Sequence, residues 1–217
     1  EFRIDIARRR LVRKRRFTWG PAVLPFGPVY RERSGDVFVP SKMFFTRGKG
    51  VAREKLTSFE AALRNAKISQ FNLVQVSSIF PPYCKVIHRD HGISLLHPGE
   101  ITYCVMSRNA TCEPGRIIAA ATGVAIPKDQ SKYGYISEHH SFGQTSEAAG
   151  DYAEDLAASM LATILGAPFD PDQSYDERKE LWKISNHIVR TNNIVQTARG
   201  ARTGEWTTVL AAAVFVK

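Results

Sequence analysis

The sequence is poor in cysteine and lacks the cysteine spacings of covalent or metal-bound frameworks. Its three cysteines, Cys84, Cys104 and Cys112, are an odd number and include no CxxC pair. A disulfide framework uses an even set, and a structural zinc site uses closer pairs of cysteine or histidine. We therefore expect free thiols, as is usual in a reducing cytoplasm.

Long apolar runs are also missing. No stretch of about 18 apolar residues occurs, so no membrane-spanning helix is expected. The first residues carry charge without the apolar core or small-residue cleavage site of a signal peptide, so none is expected. With 43% hydrophobic and 24% charged residues, the 217-residue chain has the composition of a globular protein. Its length suits one large domain, or one domain with an appendage.

The formal net charge of +9 is unevenly distributed along the chain. Residues 1–36 carry ten Lys or Arg against four Asp or Glu, whereas residues 37–217 carry twenty against seventeen. We expect residues 1–36 to be a poorly structured basic extension containing proline and glycine, and residues 37–217 to be the folded domain. The extension is either a solvated segment or a nucleic-acid-binding arm. The absence of aromatic residues interleaved with its basic runs, Arg8–Arg10 and Arg13–Arg16, favours the solvated segment.

Apolar and alternating segments predict five strands, at 72–76, Ile101–Met106, Ile117–Ile126, Tyr133–Ser137 and Thr207–Val216. The last is almost entirely apolar, which is typical of a strand covered on both faces. Because strands outnumber helices and do not alternate with them regularly, the predicted fold class is α+β.

A first helix is expected to open at Thr57, because Thr57 and Glu60 have the spacing of a capping box. Its apolar face is predicted to carry Phe59, Ala62, Leu63 and Ala66.

A long helix is predicted from about Ser146 to Leu165, ended by Gly166. Its apolar face is predicted to carry Ala149, Ala153, Leu156, Met160 and Ile164. A second, more polar helix is predicted from Tyr175 to about His187.

Several familiar motifs are incomplete in this sequence. Gly48-Lys49-Gly50 lacks the remaining elements of a phosphate-binding loop and is interpreted as a turn. The histidines, including His88, His91 and the pair His139-His140, form no HExxH or zinc-ribbon pattern, so no metal site is predicted. A G-x-S-x-G nucleophile elbow is also absent, although this does not exclude a Ser/His/Asp triad.

The pair Ser77-Ser78 is a candidate for a self-cleavage reaction because of its position. It follows an apolar strand that is expected to bury it and precedes Pro81-Pro82. In a strained turn, the Ser78 hydroxyl can attack the Ser77 carbonyl and move the acyl group from nitrogen to oxygen. β-Elimination then splits the chain and leaves a dehydroalanine, which hydrolyses to a pyruvoyl group. Taken alone, a Ser-Ser pair is usually an ordinary strand end.

Several separate blocks, in the same order, resemble the pyruvoyl-dependent arginine decarboxylases. They are LTSFEAAL at 56–63, FNLVQVSSIFPP at 71–82, GVAIPKD at 123–129 and GYISEH at 134–139, together with Trp206-Thr207-Thr208. The resemblance covers about residues 37–217 and leaves residues 1–36 unmatched. Because it rests on several blocks, it is much more specific than one short motif.

The resemblance implies a proenzyme that is cut between Ser77 and Ser78 into a β chain (1–77) and an α chain (78–217). Its cofactor would be a covalent pyruvoyl group derived from Ser78, on which L-arginine forms a Schiff base and is decarboxylated to agmatine, a step towards polyamines. Glu138 matches the proton donor of the family, and Asn72 matches its active-site asparagine. From the residues alone, Glu138 would be read as a solvated carboxylate and Asn72 as the start of a strand.

Glu60 stands where some relatives carry an aspartate, and it is a candidate for binding the substrate guanidinium. The predicted capping box gives Glu60 a competing structural role.

The resemblance further implies a layered αββα sandwich, assembled as a cytoplasmic homotrimer with active sites between subunits. The alternatives are a decarboxylase of another amino acid, a paralogue that is never processed, and a nucleic-acid-binding protein that uses the basic extension.

Overall fold

The computed structural model describes residues 38–166 and 188–217. In these residues nine strands and three helices occur, a mixture that fits the expected α+β class. The strands are β1 (Lys42–Ala52), β2 (Asn72–Gln75), β3 (Ile79–Phe80), β4 (Lys85–Val86), β5 (Ile101–Thr111), β6 (Ile117–Pro127), β7 (Gly134–Phe142), β8 (Ile188–Arg199) and β9 (Trp206–Val216). The helices are α1 (Lys55–Asn65), α2 (Arg89–Ser94) and α3 (Ser146–Leu165). Within this part of the chain no helix is both long and apolar enough to cross a membrane.

The strands form two sheets. The five-stranded sheet has the order β2-β5-β9-β1-β4. Its central strand β9 is antiparallel to β1, from Lys42 opposite Val216 to Ala52 opposite Trp206, and antiparallel to β5 on its other side. The short edge strands β2 and β4 run parallel to β5 and β1. The four-stranded sheet has the order β3-β7-β6-β8 and is antiparallel throughout.

Apolar clusters join the two sheets to each other and to the long helices. One cluster brings Val105 and Phe215 of the five-stranded sheet together with Val124 and Ile136 of the four-stranded sheet. Another contains residues of α1, β1, β5 and β9, in which α1 packs on β1 and β9. Two clusters of small residues pack α3 on the four-stranded sheet. The buried apolar area is the main favourable term that holds these elements together.

The glycines of Gly48-Lys49-Gly50 lie inside β1, so their interpretation as a turn is wrong. A Cβ atom on Gly48 would lie 2.1 Å from the carbonyl oxygen of Ala62, and one on Gly50 would lie 2.3 Å from that of Ser58. Both glycines therefore face α1, and their missing side chains let the helix approach the strand closely. This packing outweighs the poor intrinsic strand propensity of glycine.

The predicted start of α1 is also wrong, whereas its predicted apolar face is confirmed. The helix begins at Lys55, and its N-cap residue is Glu54. Thr57 is therefore a residue of the first turn, and Glu60 lies too far into the helix to reach the N-cap. Glu60 instead pairs with Arg64 one turn later. The capping box consequently does not exist.

The long helix α3 has the predicted bounds, but only part of its predicted apolar face is buried. Thr145 caps its N-terminus by accepting a hydrogen bond from the Ala148 backbone N–H at 3.1 Å, and Gly166 ends it with a φ of 66°. Ala149 and Ala153 of the predicted face are buried, whereas Leu156 and Ile164 are 36% and 42% exposed. The buried residues are mostly small, including Ala149, Gly150, Ala153, Ala157 and Ala158.

The size of the contacting residues explains this difference. A Cβ atom on Gly123 of β6 would lie 2.3 Å from the Ala153 carbonyl oxygen, so the helix backbone approaches this strand closely. Small side chains are therefore needed where α3 crosses β6, and Leu156 is exposed there, whereas the larger Leu161 is buried further along the helix.

All five predicted strands are present, and β5 and β7 extend beyond their predicted ends. Four strands were not predicted. β3 and β4 are only two residues long, and glycine in β1 and polar residues such as Asn192 and Asn193 in β8 interrupt the apolar pattern. The predicted helix from Tyr175 to His187 and the basic extension, residues 1–36, lie outside the described residues.

Candidate active site

The Ser77–Ser78 peptide bond lies where the chain passes from one sheet to the other. The Val76 backbone N–H still donates to the Cys104 carbonyl of the five-stranded sheet at 3.0 Å. Ile79 begins β3 in the four-stranded sheet, opposite Tyr135 of β7. The two serines between these points belong to neither strand. We call Val76–Ile79 the crossover.

The crossover contains a tight turn centred on Ser78. The Ser77 carbonyl accepts a hydrogen bond from the Ile79 N–H at 2.9 Å, the i to i+2 pattern of a γ-turn. The Ser78 carbonyl accepts from the Ile136 N–H of β7 at 2.8 Å. Ser77 is exposed and Ser78 is half-buried, so the expectation of a buried pair is wrong for a single chain.

Strand β7 aims Glu138 towards the five-stranded sheet. Side chains two residues apart on a strand share a face, and Ile136 lies in the cluster between the sheets. Glu138 therefore points to the same side as Ile136. The intervening Ser137 points the opposite way and donates a hydrogen bond to the Ala153 carbonyl of α3.

Glu138 lies close enough to the crossover for its charge to affect a neighbouring group there. The pKa of the Cys104 thiol is raised to about 12, chiefly by burial and secondarily by the negative charge of Glu138. The backbone of Cys104 also holds Val76, the residue before Ser77. Because the Ser78 carbonyl is bonded to Ile136, two residues before Glu138 on β7, Glu138 and the Ser77–Ser78 peptide bond lie in one neighbourhood.

The surroundings of Glu138 favour its protonated form. Although Glu138 is exposed to solvent in the single chain, partial desolvation by its surroundings raises its pKa above that of an ordinary glutamate. A raised pKa keeps more of a carboxyl group protonated at a given pH, as its use as a proton donor requires. The buried thiols of Cys84 and Cys104, with pKa values raised to about 12, are protonated near neutral pH and are poor nucleophiles.

Asn72 is distant from Ser78 within one chain. It begins β2 opposite Ile101, and its amide donates to the Gly99 carbonyl at 2.7 Å. A strand rises about 3.3 Å per residue, so β2 places Asn72 roughly 13 Å from Val76 at the crossover. The structure of a single chain therefore does not bring Asn72 and Ser78 together.

Glu60 is also separated from the crossover. Its helix α1 packs on β1 and β9, and β5 lies between β9 and the edge strand β2. The carboxylate is half-exposed and pairs with the Arg64 guanidinium. It is therefore an accessible acidic group on a different part of the chain surface.

The histidines considered as metal ligands have other roles. His88 caps α2 by accepting from the Asp90 N–H at 3.3 Å, and a ring nitrogen of His139 is 2.8 Å from the Gln144 side-chain oxygen. Across residues 38–166 and 188–217, no three His, Cys, Asp or Glu side chains are arranged to hold a metal ion.

Residues that reasoning from the sequence missed include Cys104, Ile136 and Ile79. Cys104 contributes a buried thiol whose pKa is affected by the charge of Glu138. Ile79 and Ile136 contribute backbone N–H groups that bind the carbonyls of Ser77 and Ser78. Neither contribution can be read from the residue type, because each depends on pairing between segments distant in the sequence.

Comparison with known proteins connects this geometry with one family. The family model for pyruvoyl-dependent arginine decarboxylase matches residues 42–217. A probable pyruvoyl-dependent arginine decarboxylase of Chloroherpeton thalassium is 57% identical over 179 residues, covering 82% of this chain and 98% of the relative. Pyruvoyl-dependent arginine decarboxylase 2 of Methanosarcina acetivorans is 54% identical over 178 residues, covering 82% and 97%.

A probable member from Chlorobaculum tepidum is 55% identical over 179 residues, covering 82% of this chain and 98% of the relative. The family model and these near full-length matches all include the crossover and β7. The alternative of a nucleic-acid-binding protein is not favoured, because the basic run on which it rests precedes the matched residues 42–217. The chain carrying Ser77-Ser78 and Glu138 thus belongs to the pyruvoyl-dependent arginine decarboxylase family.

Proposed function

We propose that this chain is a proenzyme that cleaves itself between Ser77 and Ser78 and then decarboxylates L-arginine to agmatine and carbon dioxide. The observation that carries the proposal is the Ser77–Ser78 peptide bond, outside both sheets and beside a carboxyl group of raised pKa. Membership of the family supports L-arginine as substrate.

Ser78 fits the role of precursor of the pyruvoyl group. It is half-buried at a turn, its own carbonyl is fixed by Ile136, and the preceding carbonyl belongs to the exposed Ser77. Cleavage would leave β1, α1 and β2 in the 1–77 chain. These elements stay paired with β9 and β5 of the 78–217 chain, so the fold does not depend on the broken bond.

The pyruvoyl group supplies an electron-withdrawing carbonyl that accepts the electron pair released when carbon dioxide leaves the substrate. Glu138 then acts as the general acid and donates its proton to the substrate Cα. The rigid antiparallel pairing of β7 with β6 fixes the backbone on which this carboxyl group is carried.

The separation of Asn72 and Glu60 from Ser78 supports an active site shared between two chains. In this arrangement one chain contributes Ser78 and Glu138, and its neighbour contributes Asn72 and Glu60. The edge next to β2 has the apolar character expected of a contact between copies. Val74, Val76, Ile79 and Ile101 are all exposed there in the single chain. A homotrimer with three such contacts is the assembly that we propose.

Within the shared site, Asn72 would donate its amide to a developing oxyanion, and Glu60 would bind the substrate guanidinium. Glu60 already binds a guanidinium, that of Arg64, which supports its suitability for this group. The substrate would displace Arg64 or share the carboxylate with it.

We propose that the chain folds as a four-layer αββα sandwich, because one apolar cluster joins the sheets and separate clusters join each sheet to a helix. We further propose that the reaction takes place in the cytoplasm, where the three free cysteines would remain reduced.

The first experiment tests cleavage and activity together. Intact mass and a denaturing gel of purified protein should show chains ending at Ser77 and beginning at residue 78, and carboxyl-labelled arginine should release labelled carbon dioxide. Lysine and ornithine serve as control substrates and should be poor, because an ammonium cannot form the two-point contact of a guanidinium. An active protein that remains a single chain would contradict the proposal.

The second experiment tests the shared site by mixing variants. Glu138→Gln and Asn72→Ala should each have very low activity, and co-expression should recover a fraction of it, since some contacts then combine an intact Ser78 and Glu138 with an intact Asn72. The matched control co-expresses Glu138→Gln with Ser78→Ala, whose lesions lie on the same side of the site. Recovery in the control, or none in the first pair, would show that the site is not divided in this way.

A further inference from the structure

The γ-turn at the crossover places a hydrogen-bond donor on the carbonyl oxygen that self-cleavage must activate. Ser77 supplies the carbonyl group of the peptide bond to be cut, and its oxygen accepts from the Ile79 N–H at 2.9 Å. Donors at 2.7–3.1 Å from a developing oxyanion are the main means by which enzymes stabilise it.

The Ile79 N–H is held in place and is not needed by the sheet. The register pairs Ile79 with Tyr135, and the Ile136 N–H donates to the Ser78 carbonyl one position earlier. In an antiparallel ladder this bond flanks a non-hydrogen-bonded pair, so the Ile79 N–H points away from β7. The following residue, Phe80, is buried and anchors the short strand.

We propose that the backbone N–H of Ile79 stabilises the oxyanion that forms on Ser77 during self-cleavage. This inference rests on the proposed function and adds a positioned group to its first step. The Ser78 Oγ adds to the Ser77 carbonyl carbon, and the carbonyl oxygen gains the negative charge. The C–N bond then breaks, the hydroxyl proton passes to the Ser78 nitrogen, and an ester joins Ser77 to Ser78.

The later steps do not draw on this hydrogen bond. Loss of the Ser78 Cα proton and cleavage of its Cβ–O bond release the Ser77 carboxylate and leave dehydroalanine. Water then replaces the nitrogen as ammonia and leaves the pyruvoyl group. The Ile79 N–H is not consumed, so its effect should be confined to the rate of cleavage.

The test removes the N–H and keeps the side chain. Ile79 is replaced by the α-hydroxy acid analogue of isoleucine through nonsense suppression. This change converts the amide bond between Ser78 and residue 79 to an ester. The appearance of the two chains is then followed on denaturing gels after cell-free synthesis of the full chain. We expect cleavage to slow by about 10²–10³-fold, the usual effect of losing one oxyanion donor.

Two variants complete the comparison. Ile79→Pro also removes the N–H and should be similarly slow, whereas Ile79→Val keeps it and should cleave at the parent rate. Folding is measured separately by placing each change in the Ser78→Ala background, where no chain is cut. The melting temperature there should stay within the 2–4 °C that about 1 kcal/mol moves a domain of this size.

The proposal is overturned if the ester variant cleaves within about threefold of the parent, or if slow cleavage occurs only together with a lost melting transition. A parent chain that is never cut would instead contradict the proposed function itself. The two failures are therefore distinguishable.

Discussion

The crossover and strand β9 are the two extremes of this molecule. β9 pairs with β1 on one side and with β5 on the other, and its residues Thr207–Val216 are buried. Ser77 and Ser78 of the crossover belong to neither strand that it connects, and Ser77 is exposed. The paired strands and the peptide bond that we propose is cleaved therefore lie in different parts of the chain, so cleavage of that bond would leave the sheets paired.

The largest effect is expected from Ser78→Ala. Because this change removes both the nucleophile and the precursor of the pyruvoyl group, cleavage and carbon dioxide release should be abolished. The melting temperature should change little, because Ser78 is half-buried and lies outside the strands. The matched control Ser77→Ala keeps the attacking hydroxyl and should still yield two chains on a denaturing gel. If Ser78→Ala did not fold, the crossover would be needed for stability as β9 is, and the contrast between the two would not hold.

Glu138→Gln should reduce turnover by about 10²–10⁴-fold while two chains are still formed, because it removes the acid but keeps the shape. The exposed Glu113→Gln at the end of β5 is the control and should retain parent activity. If Glu138→Gln stays within a few-fold of the parent, another group donates the proton, and Tyr135 and His139 are the next to test.

The raised pKa of Glu138 adds a dependence on pH. Parent turnover should fall as pH rises through this pKa, because the proton donor is then lost. The residual turnover of Glu138→Gln should not show this fall. Since burial disfavours the ionised carboxylate, the free energy of unfolding of the parent should also decrease above the pKa of an unfolded-state glutamate. Melting curves of parent and variant across this range check the sign.

Glu60→Gln should lower kcat/KM for arginine by roughly ten- to a hundredfold, the effect of losing one charge-assisted hydrogen bond. Cleavage should be normal. Its own ion pair with Arg64 is exposed and contributes about 0.2–1 kcal/mol or less to stability. Arg64→Gln removes that pair but keeps the carboxylate, so it should not weaken arginine binding. An unchanged kcat/KM in Glu60→Gln would show that its carboxylate does not bind the substrate.

Gly50→Ala should have the smallest effect on activity, although it disturbs the packing of α1 on β1. Its Cβ atom would lie 2.3 Å from the Ser58 carbonyl oxygen, so α1 must shift and the free energy of unfolding should fall by about 1–3 kcal/mol. Activity well below the melting temperature should be retained. Lys49→Ala, at an exposed residue of the same strand, should change stability by about 0.5 kcal/mol or less. Chemical denaturation of both variants provides the measurement.

The sequence by itself determined the features that depend on neighbouring residues. The bounds of α3 follow from its helical periodicity and from the glycine that ends it, Gly166. The apolar run of β9 predicts a strand covered on both faces. The blocks around Ser77-Ser78 and Glu138 were sufficient to predict the family. These signals are local because capping, backbone conformation and apolar periodicity act over a few residues.

Only the tertiary structure decided which distant groups meet and which do not. The two glycines predicted to form a turn lie in a strand that packs against α1, and that helix begins at Lys55. Leu156 and Ile164 of α3 are exposed although they were predicted to be buried. The tertiary structure also joined Ser78 to Ile136 and placed Glu138 beside Cys104, while leaving Asn72 and Glu60 elsewhere on the same chain. Such contacts are set by strand register and by the closeness of helix to sheet, and both depend on the packing of segments that are far apart in the sequence.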